Sequence, residues 1–105
     1  MPQAAQQFVG QVVVLDTQGP LVYIGRLEAI DADGYWLTEA DVHNRQEGHS
    51  TNERYVNDAV LLEQAGARNV NRRRVFVLVS AVASISRLED IAAEGPSANP
   101  GAWLK

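Results

Sequence analysis

Cysteine is absent from this chain, which removes disulfides, thiolate metal sites and cysteine nucleophiles together. Long apolar runs are absent too. The longest are short segments such as Val12-Val13-Val14-Leu15 and Val75-Phe76-Val77-Leu78-Val79, far below the ~20 residues a membrane-spanning helix needs. Positive charge is not in excess: nine Lys and Arg stand against thirteen Asp and Glu, for a net charge of −4. Such a surface does not suit the coating of nucleic acid or an anionic membrane, although a local basic patch is compatible with it. The opening Met1-Pro2-Gln3-Ala4-Ala5-Gln6-Gln7 has no basic segment and predicts no secretory signal, so a cytoplasmic domain is expected. Neither a Gly-x-Ser-x-Gly elbow, a phosphate loop nor a dinucleotide fingerprint occurs, and no internal repeat is visible.

What is present is enough for one folded unit. The chain has 105 residues, 46% of them apolar, which fits a single small domain with a real core. The first ten residues read as a short Ala/Gln-rich helical turn with Phe8-Val9 as its docking end. Val12 to Leu15 is β-branched and continuous, and Asp16-Thr17-Gln18-Gly19-Pro20 is a turn. Leu21 to Ile30 follows as a second strand, with Leu21, Tyr23 and Leu27 on one parity and Val22, Ile24 and Ile30 on the other. Gly25 in its middle marks a sharp bend or a close backbone approach. Asp31-Ala32-Asp33-Gly34 is a turn, and Tyr35-Trp36-Leu37-Thr38 restarts the sheet as the third strand of an antiparallel meander.

Residues 41–52 are polar and carry both histidines, the pattern of an exposed loop. Ser50 with Glu53 fits a capping box, Tyr55, Val56, Ala59 and Val60 recur at helical spacing, and Gly66 sits where a helix ends. One inserted helix is therefore expected over about 51–65. Arg72-Arg73-Arg74 leads into Val75 to Val79, the most strand-like segment, and Val82 to Ser86 pairs on after a short break. The predicted organisation is one domain over residues 1–91, with an insertion at about 41–73, and a Pro/Gly-rich tail over 92–105.

Five strands, a bent second strand and a very short last connection describe a strongly bent antiparallel SH3-like barrel. Gly10-Gln11-Val12-Val13-Val14-Leu15-Asp16, then Tyr23-Ile24-Gly25-Arg26-Leu27 and Ile30-Asp31, resembles the first motif of the Sm and Sm-like (LSm) family. Val75 to Ser86 stands in the place of the second motif. The chain thus looks like a divergent bacterial-type member with a long insertion between its third and fourth strands. The resemblance implies an all-β Sm-like barrel, with a short N-terminal helix and one inserted helix. It also implies that copies join fourth strand to fifth strand in a ring. The strand edges would then be Val75, Phe76, Val77 and Leu78 on one side and Val82 and Ile85 on the other.

Family members often bind single-stranded RNA at the pore, through Asp-x-aromatic-x-Asn after the second strand and Arg-Gly after the fourth. Asp31 stands at the family's aspartate, but Asp33 falls on the stacking position, Gly34 on the apolar one and Tyr35 on the asparagine. A one-residue slip brings Trp36 there instead, and Val79-Ser80 replaces Arg-Gly. The resemblance with these departures predicts that the usual uridine pocket is missing.

Each candidate site has a structural alternative. Arg72, Arg73 and Arg74, with Arg68, Asn69 and Asn71 nearby, could form a phosphate-binding strip or a solvated cluster. Of Tyr35 and Trp36, strand alternation exposes at most one as a base-stacking surface and sends the other into the core. Asp41, His43, Glu47, His49 and Glu53 match no tight metal motif, and no metal or cofactor is expected. Asp31 and Asp33 form ordinary turn chemistry, and Ser80, Ser84 and Ser86 lack a nucleophile's surroundings. No enzymatic activity is expected. The candidate RNA contacts are Asp31, Tyr35, Trp36, Arg72, Arg73 and Arg74. Two readings stay open: a ring that binds single-stranded RNA, and a protein-interaction scaffold of the same fold using the inserted helix or Trp103-Leu104 of the tail.

Overall fold

A computed structural model describes residues 3–44, 46 and 52–92. Ser50 of the expected capping box, Glu47 and His49, and Trp103-Leu104 lie outside the described residues. The elements are α1 (Gln3–Gln6), β1 (Val12–Thr17), β2 (Leu21–Asp31), β3 (Gly34–Asn44), α2 (Asn52–Gln64), β4 (Arg72–Leu78) and β5 (Val82–Arg87). Single 3-10 turns follow β4 at Val79–Ala81 and β5 at Leu88–Asp90. The strands form one five-stranded antiparallel sheet in the order β4-β3-β2-β1-β5.

The unbroken apolar run of β1 is explained by cover on both faces of the sheet. Val13 and Leu15 enter an inner core with Leu27, Leu37, Ala40 and Val77. Val14 joins an outer cluster with Val22, Ile24 and Leu88 beneath α2. A strand buried on both sides has no reason to alternate. Ala5 of α1 is buried in the inner core and Phe8 packs against it, while Val9 stays 38% exposed. Phe8 alone therefore makes the docking expected of Phe8-Val9.

Bending of β2 and β3 over the inner core sets the barrel. Gly25 is a close approach: a Cβ there would lie 3.0 Å from both Cα and Cβ of Ala40, so only glycine lets the strands close without shifting. Gly34 plays the same part at the next turn, where a Cβ would collide with the Val77 carbonyl oxygen. Two bulges accompany the bend. The β2–β3 register shifts between Ile24 and Arg26, opposite Glu39 at φ 49°, and again between Leu27 and Ala29, leaving Glu28 unpaired in the ladder. An extra residue flips the side-chain parity beyond it. Ile30 therefore packs with Leu27 and Tyr23 on the inner core, not with Val22 and Ile24 as simple alternation predicts.

Residues 41–44 correct the expected loop: β3 runs on to Asn44. The first half of β2 needs a partner, and Leu21, Val22, Tyr23 and Ile24 pair with Asn44, His43, Val42 and Asp41. Likewise the three arginines lie within β4 rather than before it, Arg72 opposite Ala40 and Arg74 opposite Thr38.

The inserted helix falls within a residue of its predicted span. Its amides at Gly66 and Ala67 close on the carbonyls of Glu63 and Leu62, ending it where the glycine stands. Val56, Ala59 and Val60 are buried on the outer sheet cluster at i, i+3, i+4 spacing, so α2 folds back on its own barrel. A polar seam runs along this junction. The Tyr55 hydroxyl donates to the Asp41 carboxylate, and His43 stacks on Tyr55 with ring centroids 4.0 Å apart and planes at 12°. Arg68, its side chain only 7% exposed, holds Glu63 at 3.0 Å and the Ile24 carbonyl at 3.3 Å. Among the described residues no helix is long and apolar enough to cross a membrane.

Candidate nucleic-acid interface

The β2–β3 and β4–β5 turns, where the family resemblance puts RNA contacts, lie side by side. The Val79 amide donates to the Asp33 carbonyl at 2.8 Å and stitches one turn to the other. Asp31 accepts the Asp33 amide on its own Oδ1 at 2.9 Å, an Asx turn that occupies the carboxylate with the backbone. The two aspartates are exposed and carry negative charge, which repels a phosphate chain. Among the described residues, neither an aromatic ring nor a guanidinium joins them. Tyr35 is 7% exposed and packed in the inner core, so the sheet's alternation assigns it to packing.

Trp36, one residue on, points the opposite way and is half-buried on the outer face. Its cross-strand partner is Phe76, at a centroid distance of 4.7 Å and a tilt of 45°. The Arg74 guanidinium sits over the Trp36 ring, 3.8 Å from its centroid, a cation–π contact. Glu28, at the β2 bulge, fixes that guanidinium from the side through a 2.9 Å ion pair with Nε. Three strands thus contribute Glu28, Trp36 and Arg74 with Phe76 to one exposed ledge. Leu78, 55% exposed, continues it towards the turns.

The predicted RNA residues therefore separate into groups. Trp36 and Arg74 are brought together, Tyr35 is withdrawn into the core, and Asp31 lies at the turn end. Arg72 and Arg73 are exposed at the other end of β4, where Arg72 donates to the Asn71 carbonyl at 3.0 Å. Asn71 is not an outward-facing donor: its side-chain amide bonds both the amide and the carbonyl of Val42, at 3.0 and 3.1 Å, extending the sheet. Arg68 serves the α2 seam. Sequence reading missed Glu28 and the contact between Trp36 and Arg74. The β3–β4 register would have signalled the contact between Trp36 and Arg74, and the β2–β3 bulge the place of Glu28.

Asp41 and His43 belong to the Tyr55 seam, and among the described residues no group of three His, Cys, Asp or Glu is placed to hold a metal ion. Ser84 donates to Asp16 at 3.1 Å across the β1–β5 pair. The proposed edge residues split by face. Val77 is buried in the barrel, with Val75, Val82 and Ile85 packed against its core, while Phe76 and Leu78 look outward.

No protein-family model matches the chain, and no curated protein matches it in sequence. Solved structures do match. The Sm protein of Pyrococcus abyssii in complex with a uridine heptamer superimposes with a TM-score of 0.53 at 13% identity, over 83% of this chain and 97% of that one. The fold is an Sm-like barrel. A chain of the NatC complex bound to CoA superimposes with a TM-score of 0.51 at 17% identity, over 79% and 82% of the two chains. At these identities the likeness concerns fold alone. At its β2–β3 and β4–β5 turns this chain carries two carboxylates, Asp31 and Asp33, and no arginine.

Proposed function

We propose that this chain is a cytoplasmic, noncatalytic Sm-like subunit that closes into a homo-oligomeric ring, with β4 of one copy pairing with β5 of the next. The observation that carries this reading is the strand order. Among the described residues β4 pairs only with β3 and β5 only with β1, which leaves two unpaired edges on one barrel. Unpaired edges template strand addition, and two different edges on one subunit generate a head-to-tail assembly, which is a ring when the rotation between copies closes. The apolar half of β4, Val75 to Leu78, carries no charge to block such pairing. Light scattering should give a mass several times 11.5 kDa, and Leu78→Lys, which adds an edge charge at an exposed site, should return the chain to 11.5 kDa. A wild-type monomer overturns the ring.

Binding of single-stranded RNA by that ring is the second part of the reading. It is supported by Arg74 lying over Trp36 beside Phe76, with Arg72 and Arg73 exposed further along the same strand, since basic charge next to stacking rings is the chemistry that single strands use. The P. abyssii Sm protein was solved with a uridine heptamer, which supports trying uridine-rich RNA. The alternative is a scaffold of the same fold that binds protein. It is supported by the carboxylates at the turns and by the likeness to a chain of a multiprotein complex. Labelled uridine-rich and adenine-rich RNAs separate the two. Binding that survives physiological salt on the oligomer supports the RNA reading, and an intact ring that binds neither RNA leaves the scaffold.

A further inference from the structure

We infer that Arg74 is a stacking platform for a nucleobase of single-stranded RNA, backed by Trp36 and held by Glu28, with the exposed Arg72 and Arg73 at the far end of β4 adding charge for phosphates that pass round that edge. The inference rests on the RNA part of the proposed function. It moves the contact from the two turns to the outer face of β3 and β4.

The turns are unsuited to it. Asp31 and Asp33 put negative charge there, one Asp31 oxygen is engaged in the Asx turn, and the Asp33 carbonyl accepts the Val79 amide. The outer ledge has the opposite properties. Within a chain of net charge −4, three consecutive arginines stand on one edge strand, Arg74 on the ledge and Arg73, by strand alternation, on the other side; among the described residues only Arg74 of the three has a carboxylate partner. Arg72 and Arg73 remain uncompensated and exposed. Concentrating like charge on a strand is unfavourable unless an anion joins it.

Arg74 itself is held rather than free. The Trp36 ring lies 3.8 Å from its guanidinium carbon, and Glu28 engages its Nε at 2.9 Å, while its side chain stays 52% exposed. A long side chain on a surface ordinarily loses conformational entropy when a ligand orders it. Here that ordering is already done by two side chains from two other strands. Guanidinium planes stack bases in single-stranded RNA, and a preordered one does so at a smaller entropic cost. Phe76 and Leu78 extend an apolar floor alongside. Glu28 acts as a positioning residue and touches no RNA in this scheme.

The test compares wild type, Arg74→Lys and Arg72→Ala/Arg73→Ala by fluorescence anisotropy. The probes are labelled uridine and adenine decamers in a salt series, with mass read by light scattering in the same samples. Arg74→Lys keeps the charge and removes the plane. It should weaken binding about fivefold or more with an unchanged salt slope, because a stacked base contributes ~1–3 kcal/mol. The double alanine variant should instead flatten the log–log salt slope by roughly 1.4, about 0.7 for each single-strand phosphate that is no longer neutralised. Full affinity in Arg74→Lys overturns the platform and leaves RNA binding standing. A wild-type ring that binds neither decamer overturns both, and leaves the assembly reading untouched.

Discussion

Two apolar clusters lie on opposite faces of one sheet, and they are closed in different ways. The inner one is sealed by the sheet's own curvature: Val13, Leu15, Leu27, Leu37 and Ala40 have no exposed surface at all. Its walls are strands held to each other along four registers. The outer cluster is sealed by a separate piece, the 13-residue α2, which contributes the smaller side chains Val56, Ala59 and Val60, each still slightly exposed. The seam between that helix and the sheet is polar, built from Asp41, Tyr55, His43 and Arg68, and the His43 Nε2 is buried there without a hydrogen-bond partner among the described residues. A buried polar atom left unpaired costs about 1–3 kcal/mol. The barrel is therefore the cooperative unit, and the helix is a lid whose docking is the weaker of the two.

The inner core is the place to break that comparison most severely. Leu37→Ala removes a fully buried side chain from between β2 and β4, where curved strands cannot collapse around the void. Its expected cost is about 2–5 kcal/mol in urea unfolding. Every protected amide should lose protection in hydrogen exchange, α2 included, because the helix has no surface to dock on once the barrel opens. Selective loss in α2 would mean that the helix and not the barrel is the cooperative unit. A smaller effect is expected at the bend. Gly25→Ala puts a methyl group 3.0 Å from the Ala40 backbone and side chain, and the strands must separate to admit it. The expected cost is about 1–3 kcal/mol. Pairing it with Ala40→Gly should recover part of that loss, since the clash includes the Ala40 Cβ.

How far these differences could be read from the sequence depends on what governs each element. The β1 run, the mid-strand glycine at position 25 and the helix ending near Gly66 were legible, because local chemistry decides them. A continuous β-branched segment must be covered on both faces, a strand glycine marks a close approach, and 3.6-residue spacing marks one face of a helix. The parity of Ile30 was not legible, because the bulge at Glu28 is imposed by closing the barrel rather than by its own residues. Asp41 to Asn44 look like a loop in isolation and are strand only because Leu21 to Ile24 need partners. At the candidate site, the sequence showed the rings and the basic run, and it showed that one of Tyr35 and Trp36 would be buried. It could not show that Arg74 lies on Trp36, since that contact depends on a cross-strand register between residues far apart in the chain and adjacent in space.

The smallest expected effect sharpens the comparison most, because it acts on the lid alone. Burial, then the hydrogen bond to the Asp41 carboxylate and its negative charge, push the Tyr55 pKa well up from its ordinary value, against a smaller opposing effect of Arg68. In the unfolded chain the phenol ionises near pH ~10, while in the folded one it stays neutral beyond that. The folded value is the raised one, so the stabilisation is complete below about pH 10 and declines as pH rises past it, when the unfolded state alone releases the proton. Tyr55→Phe removes the donor to Asp41 and should cost about 1 kcal/mol at neutral pH. It should also abolish this part of the alkaline decline, because no phenol remains to ionise. Urea melts followed by helical circular dichroism between pH 7 and 11 report both effects. A variant that keeps the wild-type decline would place its source elsewhere. A flattened decline, with little change in the strand signal, would assign the weakness to the seam that holds α2 on the barrel.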